Sequence, residues 1–158
     1  LRERLLIPVK YLHRLKKTLH LRIASGRPRF EAELALKRFH LLSCFESLVT
    51  LDDCQKEEHR ILRRTGRHVR RTKPHPYPLL KAIKAIGLPD PRCAYVGDVV
   101  DDMAAARMAK KTFPMRAIGF LNRPGTRQAR ENLRKAGAEV VVERPAGLLR
   151  SLRTLQAG

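Results

Sequence analysis

The stretch Arg92-Cys93-Ala94-Tyr95-Val96-Gly97-Asp98-Val99-Val100-Asp101-Asp102 decides how the chain is read. Residues 93–96 are a short apolar run with β-branched and aromatic members, which reads as a buried strand. Gly97 ends it, where the backbone can turn without a Cβ penalty. Carboxylates then crowd the C-terminal end of the strand. In an open parallel α/β sheet ligands bind beyond the carboxyl ends of the strands, and carboxylates there suit a hard cation such as Mg²⁺. Asp98 and Asp102 are the expected ligand pair. A structural reading competes, because Asp101 and Asp102 also suit the N-terminus of a helix expected from Met103.

Outward from this centre the chain alternates. Apolar residues at helical spacing predict a helix over 8–19, followed by a strand over 20–24 that ends at Ser25-Gly26. Pro28 suits the first position of the next helix, whose apolar face is Ala32, Ala35, Leu36 and Phe39. A strand over 45–51 closes on Asp52 and Asp53, and a helix carrying Leu79, Leu80, Ile83 and Ile86 stops at Gly87. After the central stretch come a helix over 103–110, a strand over 116–121 and a turn at 122–125. Thr126 caps a helix that runs to Ala136, Gly137 ends it, and a strand over 139–142 and a helix over 145–155 close the chain. The alternation predicts an α/β fold, a parallel sheet with helices on both faces and right-handed crossovers.

Ser25 falls where a strand meets a helix N-terminus. Such a junction offers backbone N–H groups and the positive end of a helix dipole to an anion, and a serine hydroxyl adds a donor. Phosphate fits it; the competing reading makes Ser25 a simple N-cap. Lys73, in Thr72-Lys73-Pro74-His75-Pro76, is a point charge before a helix start, and it also reads as one more solvated charge at the end of a basic run.

The segment Leu21-Arg22-Ile23-Ala24-Ser25-Gly26-Arg27-Pro28, the Lys73-Pro74 pair, Gly97-Asp98 and Asp102 together resemble the second, third and fourth motifs of the haloacid dehalogenase-like (HAD) phosphatases. The resemblance runs from about residue 11 to the C-terminus and is nearest the branch whose cap domain is inserted after the first motif. It implies a Rossmann-like core and a Mg²⁺-dependent phosphomonoesterase that acts on a small phosphorylated metabolite through an aspartyl-phosphate. In that reading Ser25 and the Gly26 N–H hold the phosphoryl group and Lys73, the catalytic lysine, neutralises it. Asp98 binds the metal, and Asp102 completes or orients that ligation. The family's nucleophile lies in an Asp-x-Asp at the end of the first strand, and the 158 residues contain none. The first strand and cap are therefore expected to be absent from this chain, which by itself should turn over little or no substrate. The missing strand would leave a slot of about 10 Å, two strand spacings, for closure or for a second polypeptide to fill. Residues 5–9 are apolar enough to enter it, but Pro8 cannot donate to a central ladder. Asp52 and Asp53 lie on a strand too far from the nucleophile's slot to replace it.

Composition sets outer bounds. A length of 158 residues with 43% apolar content predicts one domain, 1–158, with residues 54–73 as a basic insertion or loop. No apolar run approaches the roughly 18 residues of a membrane span, and no secretory signal is evident, so a cytoplasmic protein without membrane contact is expected. Cys44, Cys54 and Cys93 include no Cys-x-x-Cys, which points to a reducing compartment. A zinc site from Cys54, His59, His68 and His75 matches no common spacing. Lys and Arg number 34 against 15 Asp and Glu, giving +19 and a pI near 11.0, an excess that attracts polyanions. The charge concentrates at Arg60, Arg63, Arg64, Arg67, Arg70 and Arg71, with a helix expected over 55–64 and Gly66 breaking it. This run supports the alternative function, a non-catalytic basic domain that binds nucleic acid or another acidic partner or serves as a scaffold. A solvated mobile loop is the bland reading of the same charges.

Overall fold

The computed structural model describes residues 4–121 and 125–153. Its contacts divide the chain into two compact units, Leu1–Gly87 and Leu88–Gly158.

In the first unit, helix α1 (Val9–Lys16) precedes strand β1 (Arg22–Ala24), helix α2 (Arg29–Arg38), a 3-10 turn (Leu42–Cys44), strand β2 (Ser47–Val49) and helices α3 (Leu51–Thr65) and α4 (Tyr77–Lys84). β1 and β2 pair in parallel, Ile23 opposite Leu48. Helix α1 is amphipathic: Leu12 and Leu15 are buried while His13, Arg14, Lys16 and Lys17 face water. Leu12 packs with Leu41 and Cys44, and Leu36, Phe39 and Phe45 surround that cluster. Helix α4 covers the two strands and buries Leu79, Ala82 and Ile83. Residues 4–8 form no strand, and Val9 already opens α1.

Pro28 is the N-cap of α2 rather than its first helical residue, because its ψ of 148° is extended. The basic run is helical over the expected 55–64, and the loop reading applies only beyond Gly66. Helix α3 extends to Thr65 and ends at Gly66, whose φ of 67° is left-handed and favours a residue without a Cβ.

The second unit contains strand β3 (Cys93–Gly97), helix α5 (Val100–Ala109), strand β4 (Met115–Phe120), helix α6 (Arg127–Ala136), strand β5 (Val140–Val142) and helix α7 (Pro145–Arg153). Its strands form one parallel sheet in the order β3-β4-β5. The five strands among the described residues thus make two parallel sheets flanked by helices, which is the α/β class expected. β4 is paired on both edges and almost wholly buried, but β3, paired only with β4, is half-buried along its length. The buried strand of the sequence reading is therefore the neighbour of the one expected. Helix α5 lies close to β4 through Ala105, Ala106 and Ala109, each no more than 1% exposed. It begins at Val100, three residues earlier than expected, so Asp101 and Asp102 lie inside its first turn. Thr126 caps α6 as expected, accepting the Ala129 N–H at 3.1 Å. The expected turn at 122–125 lies mostly outside the described residues, as do the last residues of the closing helix.

Candidate functional site

In the first unit, β1 ends at Ala24 and the Ser25 N–H continues the ladder by donating to Val49 O at 2.8 Å. In parallel pairing alternate residues face opposite edges, so the Ala24 carbonyl points away from β2. Lys73 Nζ donates to that carbonyl at 3.3 Å. The lysine, 49 residues away in sequence, is thereby held one residue before the serine. Ser25 is not an N-cap: its hydroxyl accepts the Arg27 N–H at 3.1 Å, a local turn ahead of α2. The N-terminus of α2 is only partly open to an anion, because Asp52 Oδ2 accepts the Arg29 N–H at 2.7 Å. Gly26 is exposed, with nothing within 4 Å of where a Cβ would stand.

Asp52 and Asp53 belong to the frame of this unit. Thr50 at the N-cap of α3 and Asp53 at its third position form a capping box, in which the Thr50 N–H donates to Asp53 Oδ2 at 2.9 Å. Arg29 Nη2 and Lys81 Nζ add bonds of 2.8 and 2.9 Å to the same carboxylate. Burial alone would raise the Asp53 pKa, but the bonds from Lys81 and Thr50 outweigh it and hold it at about 2. The pattern Thr50-Leu51-Asp52-Asp53 was the available signal for this role.

In the second unit, Asp98 is exposed just past β3, and its carboxylate has no hydrogen-bond or ion-pair partner among the described residues. Asp102 is its opposite, 4% exposed and engaged at both oxygens. Tyr95 O–H donates to Oδ1 at 3.1 Å, and the Asp98 N–H donates to Oδ2 at 3.2 Å. Burial followed by the Asp102 charge pushes the Tyr95 phenol far above its ordinary range, so it stays a donor at every working pH. Gly97 makes the packing possible: a Cβ there would lie 2.4 Å from Asp102 Cβ and 2.5 Å from its Oδ2. Buried Asp102 thus fixes the loop that presents Asp98. Tyr95 was missed in the sequence because a tyrosine inside an apolar strand reads as core; its hydroxyl needs a buried partner, and Asp102 supplies one.

Asp98 and Asp101 also line an open pocket of about 540 Å³ with Leu121, Asn132 and Leu133. Among the described residues no group of three or more His, Cys, Asp and Glu side chains is placed to hold a metal ion. The open carboxylate of Asp98 fits Mg²⁺, which is commonly held by one or two carboxylates together with waters and phosphate oxygens.

The structure thus brings Ser25, Gly26 and Lys73 to one strand end in the first unit, and Asp98 and Asp102 to another in the second. An α/β protein with its reactive polar groups at the C-terminal ends of parallel strands is the class these features define. The chain belongs to the haloacid dehalogenase-like hydrolases, whose family model matches residues 8–110. It is 38% identical over 73 residues to a phosphoglycolate phosphatase of Xylella fastidiosa, across 46% of this chain and 29% of that protein. It is 32% identical over 110 residues to an imidazoleglycerol-phosphate dehydratase of Phytophthora nicotianae, across 68% of this chain and 21% of that one. Among solved structures, a hydrolase from Pseudomonas syringae superposes with a TM-score of 0.67 at 31% identity, covering 92% of this chain and 57% of the other. The chain therefore spans less than a third of these curated relatives and little more than half of that solved structure.

Proposed function

We propose that this chain carries the phosphate-binding and metal-binding residues of a Mg²⁺-dependent phosphomonoesterase acting on a small phosphorylated metabolite. The observation that carries this reading is the Lys73 ammonium bonded to the carbonyl beside Ser25, two groups suited to one anion and drawn together from distant segments.

In this mechanism the Ser25 hydroxyl and the Gly26 N–H donate to phosphoryl oxygens, and Lys73 offsets their charge and that of an attacking carboxylate. Asp98 holds Mg²⁺ through its open carboxylate, while Asp102, itself held by Tyr95, orients the Asp98 loop. A metal held there would supply charge stabilisation to a phosphoryl group. Attack by a carboxylate forms a covalent aspartyl-phosphate and expels the alcohol, and water then releases inorganic phosphate. No Asp-x-Asp occurs in the 158 residues, so the nucleophile comes from another segment or chain, and the chain alone binds phosphate and cation without turnover. The three cysteines form no disulfide and no described helix is long and apolar enough to cross a membrane, features compatible with a cytoplasmic enzyme.

The test is phosphate release from p-nitrophenyl phosphate with Mg²⁺, by a polypeptide joining an Asp-x-Asp strand to these residues. Activity is expected in the parent and a loss of at least 100-fold in Asp98→Ala and in Lys73→Ala. Unchanged turnover in either variant contradicts the assignment, as does turnover by the isolated chain.

A further inference from the structure

We propose that the solvent face of α3 and the segment after it form a binding surface for the phosphodiester backbone of a nucleic-acid duplex. The helix has two faces. Cys54 and Ile61, seven residues apart, are buried at 2% and 8% exposure. Lys56, His59 and Arg63 are exposed and lie roughly opposite the buried pair, and Arg60 and Arg64, also exposed, stand on the flanks between the two faces.

The charges beyond the helix are held in place as well. The Gly66 N–H donates to Leu62 O at 2.8 Å, the Thr65 hydroxyl donates to Ile61 O at 2.8 Å, and the Arg67 N–H donates to Thr65 Oγ1 at 3.3 Å. The Arg71 N–H returns the chain to Glu58 of α3. Arg67, His68 and Arg70 thus sit on a short excursion anchored at both ends.

The six arginines of the basic run divide accordingly. Arg71 is half-buried, its Nη1 is 2.7 Å from His75 Nε2, and it belongs to the frame. Arg60 is engaged by Glu57 through two bonds of 2.8 and 2.6 Å. Arg63, Arg64, Arg67 and Arg70 are exposed and have no acidic partner among the described residues. Four guanidinium groups on an ordered scaffold remain for an anionic partner, and each is suited to paired phosphate oxygens.

The surroundings select the kind of polyanion. No large hydrophobic residue from Leu51 to Lys73 is exposed, so the face lacks the apolar side by which a surface helix enters lipid. For the same reason it lacks the apolar anchors that dominate protein interfaces. The run from Cys54 to Lys73 contains no Phe, Tyr or Trp, the large rings on which successive unpaired bases stack. Charge without stacking or anchoring is the signature of backbone contact on a duplex.

The experiment is fluorescence anisotropy of the chain with a 20-base-pair DNA duplex and an RNA duplex of the same length, titrated over salt. Four phosphate contacts give an expected slope of log affinity against log salt of about −3.6 on DNA. The variant R63E/R64E/R67E/R70E is expected to bind at least tenfold more weakly than the control K10E/R14E/K17E/K37E, which removes the same charge from other exposed sites of the first unit. The glutamine set R63Q/R64Q/R67Q/R70Q reads the same contrast should charge reversal unsettle the helix. Equal weakening by patch and control sets would overturn the proposal, because binding would then follow net charge alone. So would absent or salt-insensitive duplex binding, or equally tight binding to phosphatidylserine vesicles. The stronger of the DNA and RNA arms identifies the duplex.

Discussion

After β2 the chain runs Thr50-Leu51-Asp52-Asp53 into α3, and after β3 it runs Asp98-Val99-Val100-Asp101-Asp102 into α5. Both are parallel strands that end in acidic helix starts, yet they are surrounded differently. Asp53 is held by Thr50, Arg29 and Lys81, and every bond stabilises its charged form. Asp98 has no such partner and stands in water, while Asp102 beneath it is held by a phenol and a backbone amide. A carboxylate neutralised by its own fold is a fastening. One that is presented but unneutralised can take a cation, and its helix start is the better candidate for chemistry.

The comparison breaks first at Asp98. Asp98→Asn should weaken Mg²⁺ binding at least tenfold by isothermal titration while shifting stability by no more than about 0.5 kcal/mol, as expected for an exposed position. Asp53→Asn should do the reverse and leave Mg²⁺ affinity unchanged.

Next comes Gly97. Placing a methyl group 2.4 Å from Asp102 Cβ must move one or the other, so Gly97→Ala should cost about 2–3 kcal/mol in denaturant unfolding and weaken Mg²⁺ binding as well. A silent Gly97→Ala would show that Asp102 does not need its close seat on the strand. Tyr95→Phe should cost about 1–3 kcal/mol, since it leaves buried Asp102 one donor short.

Smaller and pH-dependent is the effect of Asp53. Its folded pKa of about 2 lies below the ordinary 3.8, so its contribution is complete above pH 3.8 and is lost as pH falls toward 2. Asp53→Asn should therefore lower stability at neutral pH by about 1–2 kcal/mol and flatten the decline between those values. Smallest is His75, whose pKa burial and then the Arg71 charge depress. Its neutral form is favoured in the fold, so stability should slip as pH drops below 6.5, and His75→Gln should remove that slope from urea midpoints measured between pH 7 and 5.

Much of this was legible in the chain. The order of strands and helices follows from hydrophobic period and from glycine and proline punctuation, and boundaries moved by a few residues. The strand end at Gly97-Asp98 was readable because a glycine followed by acids is a local pattern. Strand burial was not, since it depends on how many edges are paired: β4 has two neighbours and β3 one. The distinct fates of Asp53 and Asp98 were equally hidden. Arg29 and Lys81 lie 24 and 28 residues from Asp53, and nothing local announces that they will converge there. In the basic run the helix over 55–64 and its break at Gly66 were legible, whereas its start at Leu51, set by the Thr50–Asp53 capping box, was not.

The central claim is that Ser25 and Lys73 hold a phosphoryl group and that Asp98 holds Mg²⁺. Its most direct test is the affinity of the chain for inorganic phosphate and for Mg²⁺, each measured in the parent, Lys73→Ala and Asp98→Asn. The account predicts that Lys73→Ala weakens phosphate binding and keeps the Mg²⁺ affinity, and that Asp98→Asn weakens Mg²⁺ binding and keeps the metal-free phosphate affinity. Phosphate affinity unchanged in Lys73→Ala would contradict it.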